Sequence, residues 1–167
     1  MNEALAYEEP MDKPSMFEQA RSLAAGAKII IDSDGIKDGT RTLKPSSPVV
    51  LCCSLSIEIS LKLLIAQEKE EAKTGHHLDI LYGALPELTR NAFELHAEKV
   101  HGREFVDSLE SELREHAAIF VSWRYAYEQG GELKCSPSFL YSLAFALNTF
   151  IEDTYQFERN DNAWLVV

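Results

Sequence analysis

The stretch "LCCSLSIEISLKLLIAQ", Leu51 to Gln67, decides the fold, because it satisfies two periods at once. From Leu55 to Leu63 every second residue is a large aliphatic one, the pattern of a half-buried strand. Against that, the run is longer than most strands, and Glu58 and Lys62 stand one helical turn apart. On a helix, Ser54, Glu58 and Lys62 form one narrow polar stripe. Ser56 and Ser60 lie together elsewhere as small residues that allow close packing, and the rest of the circumference is apolar. A strand of this length needs a turn near its middle, yet no Gly, Pro, Asn or Asp occurs between Val49 and Gln67. Val49 to about Lys69 is therefore expected to be a central helix, buried on most sides, with a glutamate and a lysine inside it.

Toward the N-terminus, "DSDGIKDGTRTLKPSSP" (Asp32 to Pro48) strings turn formers together and reads as a long loop, unusual enough to suggest a variable or partner-facing segment. Before it, "SMFE" offers Ser15 as N-cap with Glu18 as the reciprocal capping-box residue, and Phe17, Ala20, Leu23, Ala24, Ala27 and Ile31 follow at helical spacing. Met1 to Pro14 has little periodicity and reads as a loosely ordered leader.

Toward the C-terminus, "KTGHHLDILYGALP" starts a short helix at about His76, with Leu78, Leu81, Tyr82 and Leu85 inward, and Pro86 stops it. Proline suits a first helical turn, so "PELTRNAFELHAEKV" resumes helically with Leu88, Ala92, Leu95 and Lys99 on a shared face. From Arg103 to Glu128 a long helix is expected, its inner stripe stepping through Val106, Leu109, Leu113, Ala117, Phe120 and Arg124. Gly130 and Gly131 end it. Ser136 and Pro137 then open a last helix to about Tyr155, with Leu140, Leu143, Leu147 and Ile151 inward. The reading is all-α: a single-domain antiparallel bundle of about five helices over residues 15–157, with a tail at 158–167.

Composition agrees with a folded body. The chain has 167 residues, 46% hydrophobic and 26% charged, which is enough for a substantial core and unlike a disordered protein. Three cysteines, two of them adjacent and none in a CxxC pair, suit free thiols better than bridges or zinc ligation. The interrupted apolar run and the absence of a signal-type opening lead to a cytoplasmic expectation with no membrane span. A net charge of −11 disfavours a broad nucleic-acid-coating surface but is compatible with a small local site.

Chemistry concentrates in a few residues. Arg124, set on the expected inner face, requires a carboxylate, a ligand anion or an exit to water, because a guanidinium does not lose its charge. Glu58 is the expected counter-charge, Glu128 a local alternative, and Lys62 completes a charged cluster. His76 and His77 are adjacent and so point apart, with no Cys or carboxylate at ligand spacing, so neither a metal nor another cofactor is expected. A nucleophilic triad has no support, since there is no nucleophile-elbow motif.

With "SLSIEISLKLLIA", "TGHHLDILYGAL" and "FVSWRYAYE" placed on three successive helices, the chain resembles the HEPN domain superfamily of prokaryotic helical-bundle proteins. The features that carry the resemblance are Glu58 and Lys62 inside aliphatics, a Gly-His-x-Leu turn at Gly75, His76 and Leu78, and an Arg-Tyr-x-Tyr-Glu end at Arg124, Tyr125, Tyr127 and Glu128. The resemblance implies a bundle that commonly forms homodimers and acts in RNA cleavage, nucleotide binding, toxin-antitoxin or phage-defence systems, with a nucleotidyltransferase or antitoxin as partner. It directs attention to a pocket of Glu58, Lys62, His76, Arg124, Tyr125 and Glu128 that binds an RNA, a nucleotide or a protein. Catalytic members carry an Arg, four to six residues, then a His, and cut RNA without metal. No histidine follows Arg124, but Arg90 and His96 meet the spacing. Six positions turn a helix by about 240°, so that pair needs a second subunit to share one site. A purely structural interaction protein is the remaining alternative.

Overall fold

The protein is described from a computed structural model over residues 12–38, 41–43, 46–69, 74–125 and 135–157. Among these residues the architecture is all-α: α1 (Lys13–Asp32), α2 (Ser46–Lys69), α3 (Leu78–Gly83), α4 (Glu87–His101), α5 (Arg103–Glu115), α6 (Ile119–Arg124) and α7 (Pro137–Thr154). A small antiparallel hairpin, β1 (Ile36–Asp38) and β2 (Arg41–Leu43), lies within the stretch expected as a loop, with Ile36 opposite Leu43.

The stretch from Leu51 to Gln67 is helical throughout, and α2 is the axis of the bundle. Cys53, Ile57, Leu61 and Leu64 are fully buried, and so are Ser54, Ser56 and Ser60. At Ser56 the backbone of α1 comes close enough for its Oγ to donate to the Ala20 carbonyl at 2.7 Å. By length and composition α2 could cross a membrane, but 72% of that apolar stretch is buried inside the bundle. Its apolarity is thus accounted for by burial on most sides.

Helix directions follow from long-range hydrogen bonds. Lys13 reaches Gln67 and Ser56 reaches Ala20, so α1 runs antiparallel to α2. His96 meets Thr149 and His101 meets Ser142, so α4 runs antiparallel to α7. Phe93 joins the layers, edge-on to Tyr82 of α3 and to Phe150 of α7. Burying such a ring stabilises by roughly 1.5–3 kcal/mol before any aromatic geometry is added.

Three expectations are corrected. The first helix is capped by Asp12, whose carboxylate accepts from the Ser15 backbone N–H at 3.1 Å; Ser15 lies inside the first turn and is not the N-cap. In α4 the buried face is Thr89, Phe93 and Ala97, whereas Leu88 and Leu95 are 84% and 63% exposed. The spacing of Leu88, Ala92, Leu95 and Lys99 is helical, but the stripe faces outward, because the aromatic Phe93 takes the core position. Finally, the helix expected over Arg103 to Glu128 is interrupted at 116–118, giving α5 and α6. Its last residues, Tyr127 and Glu128 among them, lie outside the described residues.

That interruption has a tertiary cause. The Ala117 carbonyl accepts the Leu78 N–H at 2.9 Å, satisfying an otherwise unpaired donor at the start of α3. His116, 1% exposed, accepts the Ser136 N–H on Nε2 at 2.9 Å while its Nδ1 lies 2.8 Å from the Glu112 carbonyl. These two bonds assign the proton to Nδ1, since a carbonyl can only accept and an N–H can only donate. The break therefore holds the starts of both α3 and α7.

Candidate functional site

Glu58 is only 4% exposed, so its charge must be met within the protein. Lys62, one turn along α2, donates from Nζ to Oε1 at 2.7 Å. His76 comes from the segment before α3, its Nδ1 lying 2.9 Å from Oε1 and 3.1 Å from Oε2. Gly75 has φ +100°, a conformation that glycine adopts without strain, and so turns the chain into His76. The carboxylate is held on two sides, one partner from its own helix and one from sequence eighteen residues on.

Aromatic contacts extend the cluster to the surface. The His76 ring lies 6.2 Å from that of Phe120 on α6. The Arg124 guanidinium sits over two rings, 5.5 Å from the Phe120 centroid and 4.8 Å from that of Tyr125. Its Nη2 also donates to the Tyr125 hydroxyl at 2.8 Å. Arg124 and Tyr125 are exposed, and the His76 side chain is half exposed.

The expected site residues are thus partly assembled. Glu58, Lys62 and His76 converge, and Arg124 with Tyr125 adjoins them through Phe120. The expected Glu58–Arg124 ion pair is absent among the described residues: Lys62 and His76 take that carboxylate, and Arg124 faces solvent. The reason is the break at 116–118, which removes the continuous helical phase that aligned Arg124 with Val106. Glu128 lies outside the described residues. Phe120 was assigned to the inner stripe, and its linking role has no sequence signal apart from its position one turn before Arg124.

Arg90 and His96 are not brought together. Arg90 lines a cavity of about 120 Å³ with Asp79, Tyr82, Glu110 and Arg114. His96 turns toward α7, where Nε2 lies 2.9 Å from Thr149 Oγ1. That hydroxyl donates to a backbone carbonyl, Phe145 or Ala146, so Nε2 of His96 is the donor to it. Burial holds the His96 imidazole below its ordinary 6.5, opposed by the Asp153 carboxylate.

The remaining nucleophiles are quiet. Cys52, Cys53 and Cys135 are free, and burial pushes the Cys53 and Cys135 thiols up to about 12 and about 11. Among the described residues, no three His, Cys, Asp or Glu side chains converge as metal ligands would.

Chemically, the cluster holds one buried carboxylate engaged by Lys62 and His76, with the Arg124 guanidinium and two aromatic rings outside it. Because Glu58 is already engaged, the outward groups are hydrogen-bond donors and π faces. Such a surface suits an anion joined to a flat ring. No family model, curated protein or solved structure matches the chain.

Proposed function

We propose that the protein is a HEPN-like helical protein that binds a single-stranded RNA segment or a nucleotide at the surface formed by Lys62, His76, Arg124 and Tyr125. The observation that carries the reading is Arg124 lying over Phe120 and Tyr125 beside His76. Guanidinium and aromatic faces stack on bases, and cationic donors meet phosphate. The order of Glu58 with Lys62, Gly75-His76-x-Leu78 and Arg124-Tyr125 on successive helical segments supports the superfamily part of the reading. A place in a toxin-antitoxin or phage-defence system, a homodimer in the cytoplasm, and a nucleotidyltransferase or antitoxin partner belong to the same proposal.

The test is titration of a labelled single-stranded RNA against the full chain and against Arg124→Ala and Tyr125→Ala. Both residues are exposed, so the fold is not at stake. Each substitution is expected to weaken binding by about tenfold, in line with stacking contributions of about 1–3 kcal/mol per base. Unchanged binding in Arg124→Ala removes the site.

A second reading, a structural interaction protein, is favoured by the full engagement of Glu58 with Lys62 and His76. In that case the cluster fixes helix register and its variants change stability alone. The ribonuclease reading needs Arg90 and His96 completed by a second subunit. It predicts RNA cleavage that persists in chelator and disappears in His96→Ala.

A further inference from the structure

His76 has two ring nitrogens, and only one of them is spent inside the protein. Nδ1 lies 2.9 Å and 3.1 Å from the two oxygens of Glu58, and Lys62 donates to Oε1 of the same carboxylate at 2.7 Å. A carboxylate engaged in this way accepts, so Nδ1 carries the proton and donates. The tautomer is thereby fixed, and Nε2 holds a lone pair. Among the described residues both hydrogen bonds of the ring are made at Nδ1. Glu58 is 4% exposed whereas the His76 side chain is 54% exposed, so the ring is anchored by its inner edge and turns Nε2 to solvent.

The groups around this nitrogen differ from it in kind. Lys62 and Arg124 offer hydrogen-bond donors and no acceptor. Phe120 offers a π face, 6.2 Å from the His76 ring and 5.5 Å from the Arg124 guanidinium. To these His76 adds an acceptor whose position is held by a buried carboxylate.

A nucleic-acid strand stacked on Phe120 and Tyr125 meets those groups selectively. Its phosphate oxygens only accept, which suits Lys62 and Arg124. Base edges vary along the strand, and a stacking platform tolerates all of them. Every internal ribonucleotide, however, carries one backbone donor, the 2′-hydroxyl, and an internal deoxyribonucleotide carries none. A fixed acceptor beside the platform is therefore matched to the ribose.

Given the RNA reading above, on which this step rests, we propose that His76 is the specificity-determining residue of the surface. Nε2 accepts a hydrogen bond from a ribose 2′-hydroxyl, Glu58 holds the ring in the accepting tautomer, and ribonucleotide strands are taken in preference to deoxyribonucleotide strands.

Three single strands of one sequence test it: RNA, 2′-fluoro RNA and DNA. The fluorine is small and keeps the ribose pucker, but it has no hydrogen to donate. Each strand is titrated against the full chain at about pH 8, above the usual imidazole range. RNA is expected to bind about three- to tenfold more tightly than either of the others, the contribution of one hydrogen bond. His76→Asn keeps an amide N–H where Nδ1 meets Glu58 and has no atom at the Nε2 position. It is expected to bind the three strands alike, while Arg124→Ala weakens all three and preserves their ranking. The ranking on the unmodified chain decides independently of whether His76→Asn folds. Equal affinity for RNA and 2′-fluoro RNA, or an RNA preference that survives His76→Asn, would overturn the role of His76; binding that still falls in Arg124→Ala would then leave the RNA surface standing. No binding of any strand removes both.

Discussion

His76 reaches back to Glu58 across eighteen residues of sequence, its Nδ1 lying 2.9 Å from a carboxylate that is 4% exposed. The contact ties the start of α3 to the middle of α2, and Lys62 completes it from one turn further along. Removing Lys62 leaves a buried carboxylate with half its compensation. Lys62→Met is expected to destabilise the fold by about 1–3 kcal/mol, less than for a fully buried pair because the lysine is part-exposed and His76 remains. Adding Glu58→Gln to that variant should recover part of the loss. Urea unfolding of the two variants checks both signs.

His116 acts through hydrogen bonds on both ring nitrogens, and no aliphatic residue reproduces them. His116→Leu keeps apolar volume but leaves the Ser136 N–H without its acceptor. The expected cost is about 2–4 kcal/mol, combining the unmet donor with imperfect packing. Thermal or chemical unfolding of the variant measures it, and a change below 0.5 kcal/mol would contradict the role given to the ring.

The inverted face of α4 makes a contrast within one helix. Phe93→Ala is expected to cost about 3–5 kcal/mol, as for other buried aromatic truncations. Leu88→Ser, at an 84% exposed position, is expected to stay within about 0.5 kcal/mol. Denaturant midpoints of both variants decide the matter, and the opposite ranking would restore the face first expected from the sequence.

A pH dependence follows from His96. Its folded-state affinity for protons is lowered by burial, so the unfolded chain binds more protons as pH falls. The resulting stability is full above the ordinary value of 6.5 and declines as pH drops below it. The melting temperature should fall more between pH 7.5 and 5.5 in the unmodified protein than in His96→Gln, which cannot protonate. Paired melting curves at the two pH values test the difference.

How much of this was legible in the sequence depends on whether the deciding interaction is local. The α2 helix was readable because its polar stripe and lack of turn formers are properties of neighbouring residues, and so were the inward Leu78, Leu81 and Tyr82 of α3 and Leu85 just after it. The pairing of Glu58 with Lys62 was within reach for the same reason. Arg124 was misplaced because the interruption at 116–118 is made by Leu78 and Ser136, distant in sequence, with no glycine or proline to announce it. In α4 two apolar stripes compete, and only the packing of Phe93 against Tyr82 and Phe150 chooses between them.

The short break between α5 and α6 gives the molecule a shared latch. Because Ala117 holds the first amide of α3 and His116 holds the amide before α7, neither helix start can be released without disturbing the same three residues. Local opening there is expected to be concerted: the Leu78 and Ser136 amides should exchange with solvent deuterium at a common free energy, although 58 residues of chain separate them.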